Sequence, residues 1–199
     1  MTLLVLFVRS NFNMNQVKNS NNTFIKAFYM IISLALLFGI DQITKVLAVR
    51  FLSDMSVEII PNFLYLDLLY NKGAAFGILQ NQTAFFCITT ILICLILELI
   101  YFRTPSNKRF LFIKIDIILI IAGAIGNLYD RIKYGYVVDF ISTIFGSYHF
   151  PTFNVADIYV TLGVIFLMFL ILFYYSEDEL NILISIKKKS NNENNNDSH

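Results

Sequence analysis

The chain has 199 residues, of which 57% are hydrophobic and 15% charged, and its formal net charge is +1. Its mean hydropathy of +0.65 is typical of a membrane protein, and the near-neutral charge excludes the basic surface that a nucleic-acid partner needs. Its two histidines and two cysteines form no cluster at metal-ligand spacing, so we expect no metal and no other cofactor.

Four apolar segments approach the length of about 20 residues that a helix needs to cross a bilayer. They lie at about 27–49, 83–102, 111–131 and 155–175. The sequence therefore predicts an all-α membrane protein with four transmembrane helices. We expect residues 1–25 to be a poorly ordered extension, residues 26–178 to form the four-span domain, and residues 179–199 to be a basic, Asn-rich cytoplasmic tail.

Basic residues near the span ends predict the orientation of the chain. They are Lys18 and Lys26 before the first span, Arg103, Lys108 and Arg109 between the second and third, and Lys187, Lys188 and Lys189 after the fourth. Cytoplasmic connections carry an excess of Lys and Arg. Both termini are therefore expected in the cytoplasm, and connections 50–82 and 132–154 are expected to face outward.

The two outward connections have different predicted structures. In the first, the apolar runs 57–60 and 63–66 flank Pro61-Asn62, which predicts two strands and a turn in a small extracytoplasmic β element. The second, from Tyr134 to Phe150, mixes aromatic and aliphatic residues with few charges. We expect it to lie along the membrane surface as an interfacial helix or lid.

Charged and amide side chains collect at the predicted outer face. A charge inside a span costs at least a few kcal/mol on insertion scales, so each one calls for a partner or a function. The set consists of Asp41, Lys45, Asn71, Asn127, Asp130, Arg131, Asp139, Asn154 and Asp157. Such clustering predicts an active site at the outer interface.

Several of these residues also have a structural interpretation. Asp41 and Lys45 are spaced i,i+4, so an intrahelical ion pair explains them as well as a catalytic role does, and we interpret them as support. Asp130 and Arg131 are compatible with an interfacial pair, but the planar fork of Arg131 favours orienting a carboxylate or a substrate carbonyl. The three asparagines are either turn and cap residues or amides that grip a peptide backbone.

Four stretches carry these residues in a distinctive order. They are Asp41-Gln42-Ile43-Thr44-Lys45, Asn71-Lys72-Gly73-Ala74-Ala75-Phe76-Gly77, Gly123-Ala124-Ile125-Gly126-Asn127-Leu128-Tyr129-Asp130-Arg131 continuing to Val137-Val138-Asp139-Phe140, and Phe153-Asn154-Val155-Ala156-Asp157. Together they resemble the lipoprotein signal peptidases, the type II signal peptidase family, over about residues 30–175. Each stretch alone is weak evidence, but the combination is highly specific.

The resemblance implies an aspartyl endopeptidase of the bacterial inner membrane. Its substrate would be a diacylglyceryl-modified prolipoprotein, cleaved on the N-terminal side of the lipidated cysteine, with Asp139 and Asp157 as the catalytic pair. The family's supporting polar residues map onto the other seven of the set above. Ile158 departs from the family, which more often has a small or polar residue there. We expect a monomer that contacts substrate and membrane lipid.

Physical chemistry is compatible with such a pair. Two carboxyls brought close in a partly desolvated site share one proton, so the pair can serve as base and acid at neutral pH. One alternative is a small transporter or proton-conducting protein, which predicts polar groups at several depths. Another is a noncatalytic membrane scaffold in which the acids are paired structurally.

Overall fold

Four long helices and one small sheet make up the protein in a computed structural model, which describes residues 23–73 and 82–184. The helices are α1 (Thr23–Leu52), α2 (Thr83–Arg103), α3 (Leu111–Tyr134), α4 (Val155–Phe169) and the short α5 (Glu177–Ile184). A 3₁₀ turn, Lys108–Phe110, precedes α3, and a π-helical segment, Leu170–Tyr174, extends α4. The strands are β1 (Val57–Ile60), β2 (Leu64–Asn71), β3 (Val137–Phe145) and β4 (Tyr148–Phe153).

Four helical segments are long and apolar enough to cross a membrane, which confirms the predicted spans. They are Thr23–Leu52, Thr83–Arg103, Lys108–Tyr134 and Val155–Tyr174. Half of the most apolar stretch of the third segment is buried, whereas the other three are largely exposed. Because α3 packs against α1, α2 and α4, it is the central helix, and the exposed apolar faces of the others are suited to lipid.

Glycines set the close approach of α3 to α4. A Cβ added at Gly123 would collide with the backbone oxygen of Ala156, and one added at Gly163 would lie 2.5 Å from the Ile120 side chain. Small residues let helix backbones approach closely in a membrane, where van der Waals packing drives association. This contact fixes the start of α4 against the middle of α3.

The sheet joins the two connections that were predicted to face the same side. Its strand order is β1-β2-β3-β4, and each neighbouring pair is antiparallel. The predicted strands and turn around Pro61-Asn62 are present, with Asn62 at a φ of 57°, but β2 continues to Asn71. Both connections therefore meet at one end of the helix bundle.

The interfacial helix or lid expected for Tyr134 to Phe150 is wrong, because this segment forms β3 and the first half of β4. Its composition is rich in β-branched residues, which favour strands, and Gly146 turns the chain with a φ of 65°. The backbone of β3 also pairs with β2 over a distance in sequence that a local pattern does not reveal. A helix would leave β2 without this partner.

Helix α5 closes the other end of the bundle. It extends past residue 178, the predicted end of the four-span domain. Glu179, 2% exposed, accepts hydrogen bonds of 2.8 and 3.1 Å from Arg109. Burial acts to raise the pKa of Glu179, but the hydrogen bonds from Arg109 and Ser176 together outweigh it and lower that pKa. Residues 1–22 of the predicted extension and residues 185–199 of the predicted tail lie outside the described residues.

Candidate active site

All nine residues singled out in the sequence lie where the sheet meets the helices. They come from α1 (Asp41, Lys45), β2 (Asn71), α3 (Asn127, Asp130, Arg131), β3 (Asp139), and the start of α4 (Asn154, Asp157). Hydrogen bonds or ion pairs connect each of them to at least one other member of the set.

Asp139 is held between two asparagine amides. It lies on β3 opposite Leu69 of β2 and is 1% exposed. Asn71 Nδ2 donates to its Oδ2 at 2.9 Å, and Asn154 Nδ2 donates to its Oδ1 at 2.7 Å. Burial, and then the nearby charge of Asp157, raise the pKa of Asp139 to about 7, although both amide bonds act to lower it. Asp139 is therefore poised to exchange a proton near neutral pH.

Asp157 is the third residue of α4 and completes a capping box with Asn154. The Asp157 N–H donates to Asn154 Oδ1, and the Asn154 N–H donates to Asp157 Oδ2, both at 3.0 Å. Asn127 Nδ2 donates to Asp157 Oδ1 at 2.7 Å. The helix N-terminus places partial positive charge beside this carboxylate. Local helix capping thus fixes the orientation of Asp157.

The orientations of two amides follow from their partners. Asn127 Oδ1 accepts from Lys45 Nζ at 3.0 Å and from Asn154 Nδ2 at 3.1 Å, so its Nδ2 remains to donate to Asp157. Asn154 Nδ2 donates its two hydrogens to Asn127 and Asp139. A single hydrogen-bonded chain therefore links Lys45 to both aspartates.

Behind this chain lies a buried group of charges that we call the ion cluster, composed of Asp41, Lys45 and Asp130. Lys45 Nζ contacts Asp41 Oδ2 at 3.0 Å and Asp130 Oδ2 at 2.9 Å, and both carboxylates are at most 1% exposed. The i,i+4 pair interpreted as support is present, and Asp130 pairs with Lys45 of another helix.

Sequence reasoning assigned no role to Gln42 and Gly126, which also belong to this region. Gln42 Nε2 donates to Asp41 Oδ2 at 3.0 Å and to Asp130 Oδ1 at 3.2 Å. A Cβ added at Gly126 would lie 2.5 Å from Asp41 Oδ2. Both residues stand within the quoted stretches, so an amide next to a buried acid was the signal that could have identified Gln42.

Arg131 lies at the edge of the site. Its Nη2 donates to the Gly73 carbonyl at 3.4 Å and its Nη1 to the Asn127 carbonyl at 3.5 Å. Its guanidinium carbon lies 4.9 Å from the centre of the Phe86 ring. These contacts are long for hydrogen bonds, so much of the donor capacity of Arg131 is available to a ligand.

A cavity of about 420 Å³ opens beside the two aspartates. Its wall has a polar part and an apolar part. The polar residues are Asn71, Asn127, Arg131, Asp139, Thr152, Asp157 and Thr161, and the apolar ones are Val137, Phe150, Pro151, Phe153, Ile158 and Leu162. Among residues 23–73 and 82–184, no group of three or more His, Cys, Asp or Glu side chains is placed to hold a metal ion. The cavity can accept an extended, largely apolar ligand with its polar centre at the carboxyls.

Known proteins are similar to this chain in sequence and in fold. Residues 31–173 match the family described as signal peptidase (SPase) II. The lipoprotein signal peptidase of Staphylococcus haemolyticus is 43% identical over 151 residues, covering 74% of this chain and 94% of that protein. The lipoprotein signal peptidase of Clostridium novyi is 44% identical over 143 residues, covering 70% and 95%. A solved bacterial membrane enzyme superimposes with a TM-score of 0.61 at 39% identity, covering 72% of this chain and 87% of that one.

Proposed function

The chain belongs to the signal peptidase II family, whose members remove signal peptides from bacterial prolipoproteins, and we propose that Asp139 and Asp157 are the carboxyls that cleave the peptide bond. The observation that carries this proposal is that both aspartates line one cavity while each is oriented by asparagine amides. The protein is a multi-pass bacterial membrane peptidase, which agrees with the function expected from its sequence motifs.

In the proposed reaction the two carboxyls share one proton. The ionised member takes a proton from a water molecule as that water attacks the scissile carbonyl carbon. The protonated member donates a hydrogen bond to the carbonyl oxygen. As the tetrahedral intermediate collapses and the C–N bond breaks, the carboxyl that took the proton from water gives it to the leaving nitrogen, which restores the starting pair. The raised pKa of Asp139, about 7, supports a pair that keeps one proton at neutral pH.

The other polar residues support the pair without exchanging protons. Asn71, Asn127 and Asn154 hold the carboxyl oxygens, and the ion cluster of Asp41, Lys45 and Asp130 lies behind them. Arg131 lines the cavity and would orient a backbone carbonyl of the substrate with its planar fork.

The cavity wall supports a lipid-bearing substrate. Apolar side chains such as Phe150, Ile158 and Leu162 line it next to the carboxyls. A diacylglyceryl chain would pack on this apolar part while the peptide bond on the N-terminal side of the modified cysteine reaches the aspartates. The state proposed for this function is a monomer that contacts the substrate and membrane lipid.

The proposed orientation places the termini in the cytoplasm and the site near the outer membrane face. Arg103, Lys108 and Arg109 occupy the short connection at the end of the bundle opposite the sheet, which favours that end as cytoplasmic. The test places a single cysteine at Ser106 or at Tyr136 and adds a membrane-impermeant thiol reagent to one side of the membrane at a time. The Ser106 variant should be labelled from the cytoplasmic side and the Tyr136 variant from the outer side. Labelling of the Tyr136 variant only from the cytoplasmic side would reverse the orientation.

The pair is tested by cleavage of a diacylglyceryl-modified prolipoprotein in detergent. Asp139→Asn and Asp157→Asn should each be almost inactive, and the double variant scarcely worse, because residues that act as one unit give non-additive losses. Asp67→Asn is the matched control, since Asp67 is exposed on β2 of the same sheet. Retention of more than about a tenth of parental cleavage by Asp157→Asn, a loss below about 1.4 kcal/mol, would contradict the proposal.

A further inference from the structure

The ion cluster is hydrogen-bonded to the backbone directly before each catalytic aspartate. Asp41 Oδ1 accepts the N–H of Ala156, the residue before Asp157, at 3.0 Å. Asp130 Oδ2 accepts the N–H of Val138, the residue before Asp139, at 3.2 Å. Each of the two carboxylates in this buried cluster therefore holds the backbone next to one aspartate of the proposed pair.

Two groups tie these anchoring carboxylates to each other. Lys45 contacts both, at 3.0 and 2.9 Å, and Gln42 donates one amide hydrogen to each, at 3.0 and 3.2 Å. The cluster has two negative charges and one positive charge, so the donors of Gln42 stabilise charge that Lys45 alone leaves uncompensated. Gln42 does not line the cavity formed by the described residues, so any effect of it on catalysis passes through other groups.

We propose that Gln42 is a positioning residue, which with Lys45 holds Asp41 and Asp130 together and thereby fixes the separation of the two catalytic carboxyls. This inference rests on the proposed roles of Asp139 and Asp157. Asp41 lies on α1, Asp130 on α3, Ala156 on α4 and Val138 on β3, so four elements are tied at one point. A small change in the distance between Asp41 and Asp130 would therefore shift the backbone before both catalytic aspartates, through the two hydrogen bonds to Ala156 and Val138.

The separation of two carboxyls has a direct signature in the pH profile. The closer they are held, the more the ionisation of one opposes that of the other, and the wider apart are the two apparent pKa values of the pair. A loosened pair has weaker coupling, so its bell-shaped profile is narrower. Among residues 23–73 and 82–184, the other charged groups that act on the pair are Lys45 from α1 and Arg131 from α3. Besides the pair itself, Arg131 has Asp130 and the thiol of Cys87 from α2 as titratable neighbours.

The test compares Gln42→Met, which removes the amide at similar size, with Gln42→Glu, which adds a third carboxylate. With a diacylglyceryl-modified prolipoprotein in detergent, Gln42→Met should lower kcat by about tenfold, leave KM unchanged and narrow the pH profile. Gln42→Glu should lower kcat further than Gln42→Met at pH 8. Its kcat should recover in part at pH 5.5, where the protonated Glu side chain donates a hydrogen bond. Thr44→Val is the control and should keep the parental kcat and pH profile, because the Thr44 hydroxyl donates to the Asp41 backbone carbonyl one turn away on α1 and not, among the described residues, to a carboxylate of the ion cluster.

An unchanged kcat and pH profile in Gln42→Met would overturn the inference. So would a lower thermal stability with the parental profile in the folded fraction, or a failure of both Gln42 variants to fold, since either outcome shows a role in stability alone. Asp139→Asn, measured in parallel, separates the two proposals. If Asp139→Asn is inactive and the Gln42 variants are normal, only the positioning role fails; if Asp139→Asn cleaves normally, the catalytic pair fails.

Discussion

Asn154 offers a test of how the site sets the protonation of Asp139. Its side chain caps α4 through Oδ1 and donates to Asp139 through Nδ2. Asn154→Ser keeps a capping oxygen but is too short to reach Asp139, whereas Asn154→Ala loses both functions. Asn154 is fully buried, so its amide is shielded from solvent.

The expected magnitude follows from the bond that is removed. A hydrogen bond to a charged group is worth about 1.5–3 kcal/mol, and one pKa unit corresponds to about 1.4 kcal/mol. The bond from Asn154 lowers the pKa of Asp139, and that from Asn71 remains. Loss of the Asn154 bond should therefore raise the pKa of Asp139 from about 7 by roughly one unit or more.

The assay is prolipoprotein cleavage in detergent between pH 5 and pH 9. The alkaline limb of the profile reports loss of the shared proton, so a higher pKa moves this limb to higher pH in both variants. Asn154→Ser should also be about 1 kcal/mol more stable than Asn154→Ala, because it retains the cap. An alkaline limb that stays in place in Asn154→Ser would refute the role of this amide bond.

Three further predictions concern stability and packing. The pKa of Asp139 in the folded protein is raised to about 7, above its value near 3.9 in the unfolded chain. The contribution of Asp139 to the free energy of unfolding is therefore fully present below about pH 3.9 and is lost as pH rises through about 7. Thermal unfolding should therefore show the parent losing stability between pH 4 and 8, with a flatter dependence in Asp139→Asn. Gly126→Ala, with its Cβ 2.5 Å from a carboxylate of the ion cluster, should cost about 1–3 kcal/mol and lower cleavage. The control Gly39→Ala, with nothing within 4 Å, should be tolerated; equal behaviour of the two in a melting assay would contradict the packing argument. Glu179→Gln should lower the Tm at pH 7 more than the exposed Asp178→Asn, without changing kcat, and the difference should shrink as pH falls through the lowered pKa of Glu179.

The four spans and the identity of the chemical groups were readable from the sequence alone. Span length follows from a local property, the number of consecutive apolar residues, and the structure places the helices close to the predicted ranges. Turn residues such as Pro61-Asn62 also act locally, so the first two strands were predicted correctly. The aspartates and asparagines stood out because polar groups in apolar surroundings are costly and therefore few.

The tertiary structure decided which of these groups meet and how they are oriented. Residues 137–153 became strands because β2 supplied hydrogen-bond partners across the sheet, although their composition was also compatible with a surface helix. The bond from Ala156 to Asp41 spans 115 residues, and that from Asn71 to Asp139 spans 68. Local periodicity has no information about such pairs. The amide orientations and the bridging role of Gln42 depend on three-dimensional neighbours, so only the folded chain defines them.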